Sequence, residues 1–308
     1  MRWQPLLALI ALTVAAQEPP APPPARPVIG NLGKPMPVPF ACSEEDIQLF
    51  GMTCTAQDPC PVYFQASHVE AAGAKLFLTG NLHNGATTMY SILLASEDEG
   101  KTWIEPHERI RSAGLDQVRF LDFETGWISG QTLLAFPRDP FLLTTTDGGK
   151  NWRLRPVFSE TKIGSVEQFW FESRSQGQLL IDRTILGETG ARYELYETTT
   201  GGETWMVREV SARALRLKLP PEEQSGWRVR ADGATKAHRI ERRQGERWQT
   251  VASFLVRASE CKPEDKPLPE PVETEPPPPA KPGTAGPKPE PAPPKPPAKP
   301  PTLKKKSA

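Results

Sequence analysis

The chain has 308 residues, 36 of them proline, with 37 basic and 37 acidic side chains and a formal net charge of zero. That balance argues against a dedicated nucleic-acid binder, whose footprint is basic. Most of the prolines lie in two tails, and the roughly 220 residues between them suffice for one sizeable core.

Residues 1–16 read as an export signal. Arg2 is the positive start, Leu6 to Val14 is an apolar run too short to span a bilayer, and Val14-Ala15-Ala16 offers small residues ahead of a cut before Gln17. No other run is long enough for a membrane helix, so the mature chain is expected to be exported, periplasmic or secreted, without a transmembrane segment. Residues 17–39, rich in proline and alanine, are expected to be an extended linker. Residues 40–60 hold three of the four cysteines, and Ser43-Glu44-Glu45-Asp46 has the composition of a helix start. In an exported chain an even cysteine count favours disulfides, and four cysteines allow three pairings. The expected pairing is Cys54–Cys60, a small local loop, with Cys42–Cys261 tying the start of the folded region to its end.

Residues 61–261 carry a repeat. Ser96-Glu97-Asp98-Glu99-Gly100-Lys101-Thr102-Trp103 returns as Thr145-Thr146-Asp147-Gly148-Gly149-Lys150-Asn151-Trp152 and as Thr198-Thr199-Thr200-Gly201-Gly202-Glu203-Thr204-Trp205, where Thr200 replaces the aspartate. A worn fourth copy ends in Gly245-Glu246-Arg247-Trp248, and the tryptophans lie 49, 53 and 43 residues apart. That period suits one four-stranded propeller blade. A short acidic side chain pins a tight turn by accepting from backbone amides two residues on. Glycine supplies the positive φ of the turn, and the tryptophan opens the next strand and fills the space between layers. Apolar, β-prone runs precede each turn, at Met89 to Ala95, Phe141 to Thr144 and Tyr193 to Tyr196. The expected fold is therefore all-β, a small propeller of about four four-stranded blades. The blades are placed at about 62–106, 115–157, 166–210 and 215–256, with Pro220, Pro221 and Glu222 in a loop of the last. The ring is either closed or an open arc.

The pattern S/T-x-D-x-G-x-T-W resembles the Asp-box (BNR) repeat of sialidases, sortilin-type receptors and the Ycf48/HCF136-like assembly factors. Phe120-Leu121-Asp122-Phe123-Glu124-Thr125-Gly126-Trp127-Ile128-Ser129-Gly130 resembles the strand pair of the last group. The resemblance covers roughly residues 61–257. It implies that Ser96, Asp98, Gly100 and Trp103, Thr145, Asp147, Gly149 and Trp152, and Thr198, Gly202 and Trp205 are structural, on the propeller rim. It also implies a protein-binding role, since the assembly factors bind partner segments.

Residues 262–308 interleave proline with lysine and glutamate and end in Lys304-Lys305-Lys306. Such a composition does not bury a core, and the segment is expected to be a disordered tail.

The search for chemistry finds no catalytic set. A sialidase needs an arginine triad, a tyrosine nucleophile with a glutamate, and an acidic proton donor. The family's Phe/Tyr-Arg-Ile-Pro motif is absent ahead of Ser96, and the four tyrosines sit in strand-like runs. His68, His83, His107 and His238 show no metal-ligand spacing, so neither a metal nor a cofactor is expected. Arginine crowds the last blade at Arg228, Arg230, Arg239, Arg242 and Arg243, a candidate patch for an acidic peptide or carboxylate. The sequence thus predicts a non-enzymatic, exported scaffold that binds an envelope or secreted protein and no nucleic acid. The alternative is a carbohydrate-active protein, either glycan-binding or a sialidase-like glycoside hydrolase.

Overall fold

The computed structural model describes residues 27–183, 192–217 and 226–263. The signal at 1–16, the loop at Pro220 to Glu222 and the tail from residue 264 onward lie outside the described residues. No helix among those described is long and apolar enough to cross a membrane.

The fold is an all-β propeller of four antiparallel sheets. Sheet 1 is β2 (Cys60–Ala72), β3 (Lys75–His83) and β4 (Thr88–Ser96), with the last strand, β17 (Arg257–Cys261), paired to the start of β2. Beyond β4 lies the short β5 (Thr102–Trp103), which also pairs with β1 (Ile29–Gly30). Sheet 2 is β6 (Ala113–Phe120), β7 (Gly126–Leu133), β8 (Pro137–Thr145) and β9 (Arg153–Pro156). Sheet 3 is β10 (Ser165–Phe171), β11 (Gly177–Asp182), β12 (Tyr193–Thr198) and β13 (Met206–Ser211). Sheet 4 is β14 (Trp227–Asp232), β15 (Ala237–Gln244) and β16 (Arg247–Leu255).

Alternation along the strands fixes how these sheets stack. In sheet 1 both faces are apolar, so β3 and β4 read as nearly continuous buried runs. Leu78, Leu82, Ile92, Leu94 and Trp103 meet Ile240, Ala252 and Phe254 of sheet 4. Phe77, Leu93 and Ala95, on the opposite face, meet Leu115, Ile128, Leu143 and Trp152 of sheet 2. Trp127 and Leu142 then meet Phe169, Phe171, Leu179 and Ile181 of sheet 3, with the rings of Trp127 and Phe171 stacked 3.8 Å apart. The spatial order is 4–1–2–3. Among the described residues no apolar cluster joins sheet 3 to sheet 4. Their outward faces alternate with polar residues instead: Gln178 and Glu197 on sheet 3, Arg228, Arg230, Arg239 and Glu241 on sheet 4. Leu180, fully buried, is the apolar exception on the sheet 3 face.

Each of the first three sheets carries its Trp-ended turn between its third and fourth strands. In the first, the Ser96 hydroxyl accepts from Gly100 N–H at 2.7 Å and donates to Asp98 at 2.8 Å. Asp98 accepts from the backbone and hydroxyl of Thr102 at 2.8 and 2.7 Å, and Trp103 Nε1 donates to the Gly100 carbonyl at 3.1 Å. Thr145, Asp147, Gly149, Asn151 and Trp152 repeat this pattern, and Gly100 and Gly149 take φ of 92° and 80°. In the third turn Thr200 stands in for the aspartate and accepts from Thr204 N–H at 2.9 Å, but the buried Trp205 Nε1 has no partner. Each of the three turns is thus pinned by hydrogen bonds within it.

Two expectations need correction. The linker to residue 39 is part of the fold from residue 28 onward. Ile29, Met36 and Val38 are buried, Met36 exchanges backbone hydrogen bonds with β16, and the Asn31 amide bridges the carbonyls of Gly100 and Val251 at 2.9 and 2.8 Å. The apolar residues between the prolines give this stretch a seat on the seam of sheets 4 and 1. Among the described residues the fourth blade has three strands, the first of them beginning at Trp227. Its Gly245 turn joins β15 to β16, so the three strands occupy the second, third and fourth places of a blade. Residues 214–217 form no strand, because Leu217 N–H turns to the Gln168 side chain on β10 at 3.3 Å. Among the described residues three sheets have four strands, sheet 1 taking β17 as its extra strand, and the fourth has three.

Residues 40–60 hold a short helix, α1 (Glu44–Leu49), capped by Ser43 and Asp46 in a reciprocal box. The disulfides are Cys42–Cys261 and Cys54–Cys60. The first clamps β17, and with it the end of the folded chain, to the segment before the helix.

Candidate functional site

Polar residues interrupt the apolar strands at one level of the propeller, and β-bulges mark the place. The pairing of β2 with β3 slips between Ala66 and His68. The pairing of β6 with β7 slips between Leu115 and Val118, placing Asp116 and Gln117 in a bulge. The pairing of β7 with β8 slips at Gln131, and that of β10 with β11 slips at Glu167. A bulge re-aims side chains, and bulges gather beside active sites.

Hydrogen bonds link these bulges into one belt. Val118 N–H donates to His68 Nδ1 at 3.4 Å, which makes that nitrogen an acceptor and the ring neutral with its proton on Nε2. The Thr79 hydroxyl reaches the Asp116 carbonyl at 2.8 Å. Gln131 Nε2 donates to the Asp116 carboxylate at 2.7 Å, while the buried Gln131 Oε1 has no partner. Gln117 Nε2 donates to the Glu167 carbonyl at 2.8 Å and so ties sheet 2 to sheet 3. Two residues along from His68, Glu70 sits 3.5 Å from Arg119 across the seam of sheets 1 and 2 and also accepts from the Phe120 N–H.

Burial sets the electrostatics of the belt. It pushes the Glu70 carboxyl up to about 7, against the opposing pull of Arg119 and of the Phe120 N–H. It also raises Asp116, opposed by the Gln131 amide. It pushes His68 down to about 4, with the Arg119 cation acting in the same direction. At neutral pH the belt therefore holds a carboxyl able to give or take a proton, a second carboxylate of altered acidity and a neutral imidazole. The Glu70 side chain is 15% exposed and that of Arg119 27%, so neither is sealed from solvent. Side chains with strongly shifted acidity, in a partly open seam, are what acid–base chemistry requires.

The arginines of sheet 4 split into two groups. Arg228, Arg230 and Arg239 share the outward face. Arg228 pairs with Glu241 at 2.7 Å and lies 4.0 Å over the Trp248 ring, and Arg239 pairs with Asp232. Arg242 is on the inward side, over Trp227 and 3.9 Å from Glu99, and Arg243 bonds the Gly245 carbonyl in the hairpin. The five do not form one patch.

No tyrosine is set up as a nucleophile. Tyr196 donates to Glu194, yet it is buried between sheets 2 and 3, and burial raises its phenol well above the ordinary value. Tyr90 donates to Asp46 of α1. A cleft of about 540 Å³ lies at the seam of sheets 4 and 1, lined by Tyr63, Asp232, Lys236, Leu255, Val256 and Arg257 among others.

The sequence reading named His68 only as a scattered histidine and missed Glu70, Asp116, Arg119 and Gln131. The signal was there: ionisable side chains in mid-strand, where β-strands of a packed sheet carry apolar ones. It was hidden because the bulges break the alternation that would have exposed it.

No family model matches this chain, and no curated protein does. Among solved structures it is similar to YCF48 bound to a D1 peptide, with 17% identity, a TM-score of 0.34, and coverage of 62% of this chain and 54% of the other. It is similar to a GH74 xyloglucanase from Xanthomonas campestris, with 16% identity, a TM-score of 0.32, and coverage of 44% and 18%. It is similar to an α-L-arabinanase from Penicillium chrysogenum complexed with arabinobiose, with 12% identity, a TM-score of 0.33, and coverage of 74% and 66%. The chain thus spans about half the length of the first of these and under a fifth of the second. All three are β-propellers. Two are enzymes by name, which overturns the expectation that this chain is not an enzyme.

Proposed function

We propose that this protein is carbohydrate-active and that the polar belt between sheets 1 and 2 is its working site. The observation that carries the proposal is Glu70, a half-buried carboxyl held near pH 7 beside Arg119, with Asp116 raised on the neighbouring strand. Glycoside hydrolysis uses two carboxyl groups in different environments. Glu70 would protonate the leaving glycosidic oxygen as the C–O bond breaks. Asp116 would take the proton of the attacking water, and the Gln131 amide holds its carboxylate in place. A panel of polysaccharides and aryl glycosides tests this. We expect turnover or saccharide binding by the wild type, and a loss of turnover of about 10²-fold or more in Glu70→Gln. Full activity in Glu70→Gln, or no saccharide bound or cleaved, would overturn the assignment.

We also propose export, since disulfides persist in an oxidising compartment and the chain holds two. Detection of the processed chain in the envelope or medium tests it, and an intact chain retained in the cytoplasm contradicts it.

A second reading, protein binding, rests on a different observation. Arg230 and Arg239 are direct cross-strand partners on the outward face of sheet 4, a destabilising like-charge pair that Asp232 relieves only at Arg239. An acidic protein segment would relieve it at Arg230. Capture of a specific envelope protein by the wild type and its loss in Arg230→Glu supports this reading, and equal capture by both refutes it.

A further inference from the structure

The cleft at the seam of sheets 4 and 1 lies apart from the belt and has a chemistry of its own. It forms where the chain leaves β16 for β17. The β14–β15 turn makes one wall, Leu255, Val256 and Arg257 another, and Tyr63 of β2 a third. Its volume of about 540 Å³ falls within the range of small-molecule sites.

The hydrogen-bonding groups around it are already committed. Val256 N–H donates to the Lys236 carbonyl at 2.9 Å, and the Val256 carbonyl accepts from Phe64 N–H at 2.7 Å. Ala231 and Ala237 are held in the β14–β15 ladder. Asp232 accepts from Ala234 N–H, the Thr235 hydroxyl and Arg239. Arg257 is paired with Glu260 at 2.6 Å. A sugar or an extended peptide, which needs many donors and acceptors, finds few here.

What remains is an apolar body, with Tyr63, Ala231, Ala237, Leu255 and Val256 on its walls, and one cation. Lys236 sits at φ 49°, a left-handed conformation that is costly for a side-chain-bearing residue. Its backbone is fixed there by Val256, and no ion pair engages its ammonium among the described residues. Lys236 closes the β14–β15 turn in this conformation and lines the cleft from there.

We propose that this cleft binds an amphipathic monocarboxylate, its aromatic or branched aliphatic body against Tyr63, Leu255 and Val256 and its carboxylate on Lys236. The site is independent of the belt, so its test does not depend on any activity there.

The probe is 4-phenylbutyrate, followed by amide chemical shifts on the full chain, with 4-phenylbutyramide and 4-phenylbutylamine as neutral and cationic counterparts. Binding should be weak, on the order of 1 mM for a ligand of this size. Shifts should concentrate at Ala231 to Ala237 and Leu255 to Arg257. The carboxylate should bind about tenfold more tightly than the amide or the amine, and Lys236→Gln should remove that preference while leaving the amide unaffected. Ala231→Trp, at an exposed position that the fold tolerates, should fill the cleft and abolish all three responses. The proposal is overturned if nothing binds up to about 10 mM, if the three probes bind alike or the amine binds best, or if binding survives Ala231→Trp.

Discussion

Removal of the Cys42–Cys261 bridge should cost far more stability than removal of Cys54–Cys60. The two close loops of very different length, with sequence separations of 219 and 6. In the chain-entropy account the lost freedom of the unfolded chain scales with the logarithm of loop length. It gives about 5 kcal/mol for the long loop and about 2 kcal/mol for the short one. For a domain of this size the first figure corresponds to a fall in Tm of roughly 10 to 20 °C. The long bridge also fastens β17 along β2, where Cys261 is the direct partner of Cys60, and Cys261 is fully buried. The assay is urea unfolding of Cys42→Ala/Cys261→Ala and of Cys54→Ala/Cys60→Ala, followed by tryptophan fluorescence. Equal losses in the two double variants, or a loss under about 1 kcal/mol for the long bridge, would refute the reasoning. The strand pairing of β17 and the seating of residues 28–38 would then suffice to hold the ends.

Asp147→Ala removes three hydrogen bonds to a carboxylate and should destabilise by about 2 to 3 kcal/mol, whereas Thr200→Asp should stabilise by about 1 kcal/mol by replacing a neutral acceptor with a charged one; thermal unfolding reads both. Trp103→Phe should cost about 1 to 2 kcal/mol because it gives up the bond to the Gly100 carbonyl, while Trp205→Phe should be close to neutral because it removes a buried donor that has no partner. The Glu70 carboxyl has a folded value of about 7, above its ordinary 4.5, so the fold disfavours its charged form. Its contribution is complete below pH 4.5 and is lost as pH rises through 7. Glu70→Gln should therefore gain stability relative to wild type between those limits, by up to about 3 kcal/mol, and a difference that is flat with pH contradicts the shift.

The parts of this fold that were legible in the sequence are those where one residue type has one physical reason to be present. The paired Ser or Thr, Asp, Gly and Trp of the first two turns announce a pinned turn and an indole in need of a partner, and the turn and the indole's bond both form. The aspartate, however, accepts from the amide four residues on, because the glycine amide two residues on donates to the Ser or Thr hydroxyl instead. Ser43 and Asp46 likewise announce the start of α1. Sheet 4 was misjudged because Leu215 and Leu217 alternate as a strand would, while the bond from Leu217 to Gln168 is a tertiary matter that alternation does not encode. The linker was misjudged because its prolines hide three buried apolar residues, Ile29, Met36 and Val38. The belt is formed by side chains 15 to 50 residues apart that meet at bulges, so spacing rules built on helices and metal-binding loops passed over it.

The most direct test of the functional account is the titration of Glu70, by carbon-detected NMR of the side-chain carboxyl, alone and with an oligosaccharide the protein binds or cleaves. The account predicts a midpoint near 7 that moves when the saccharide is present. A midpoint at the ordinary glutamate value that the saccharide leaves unmoved would contradict it.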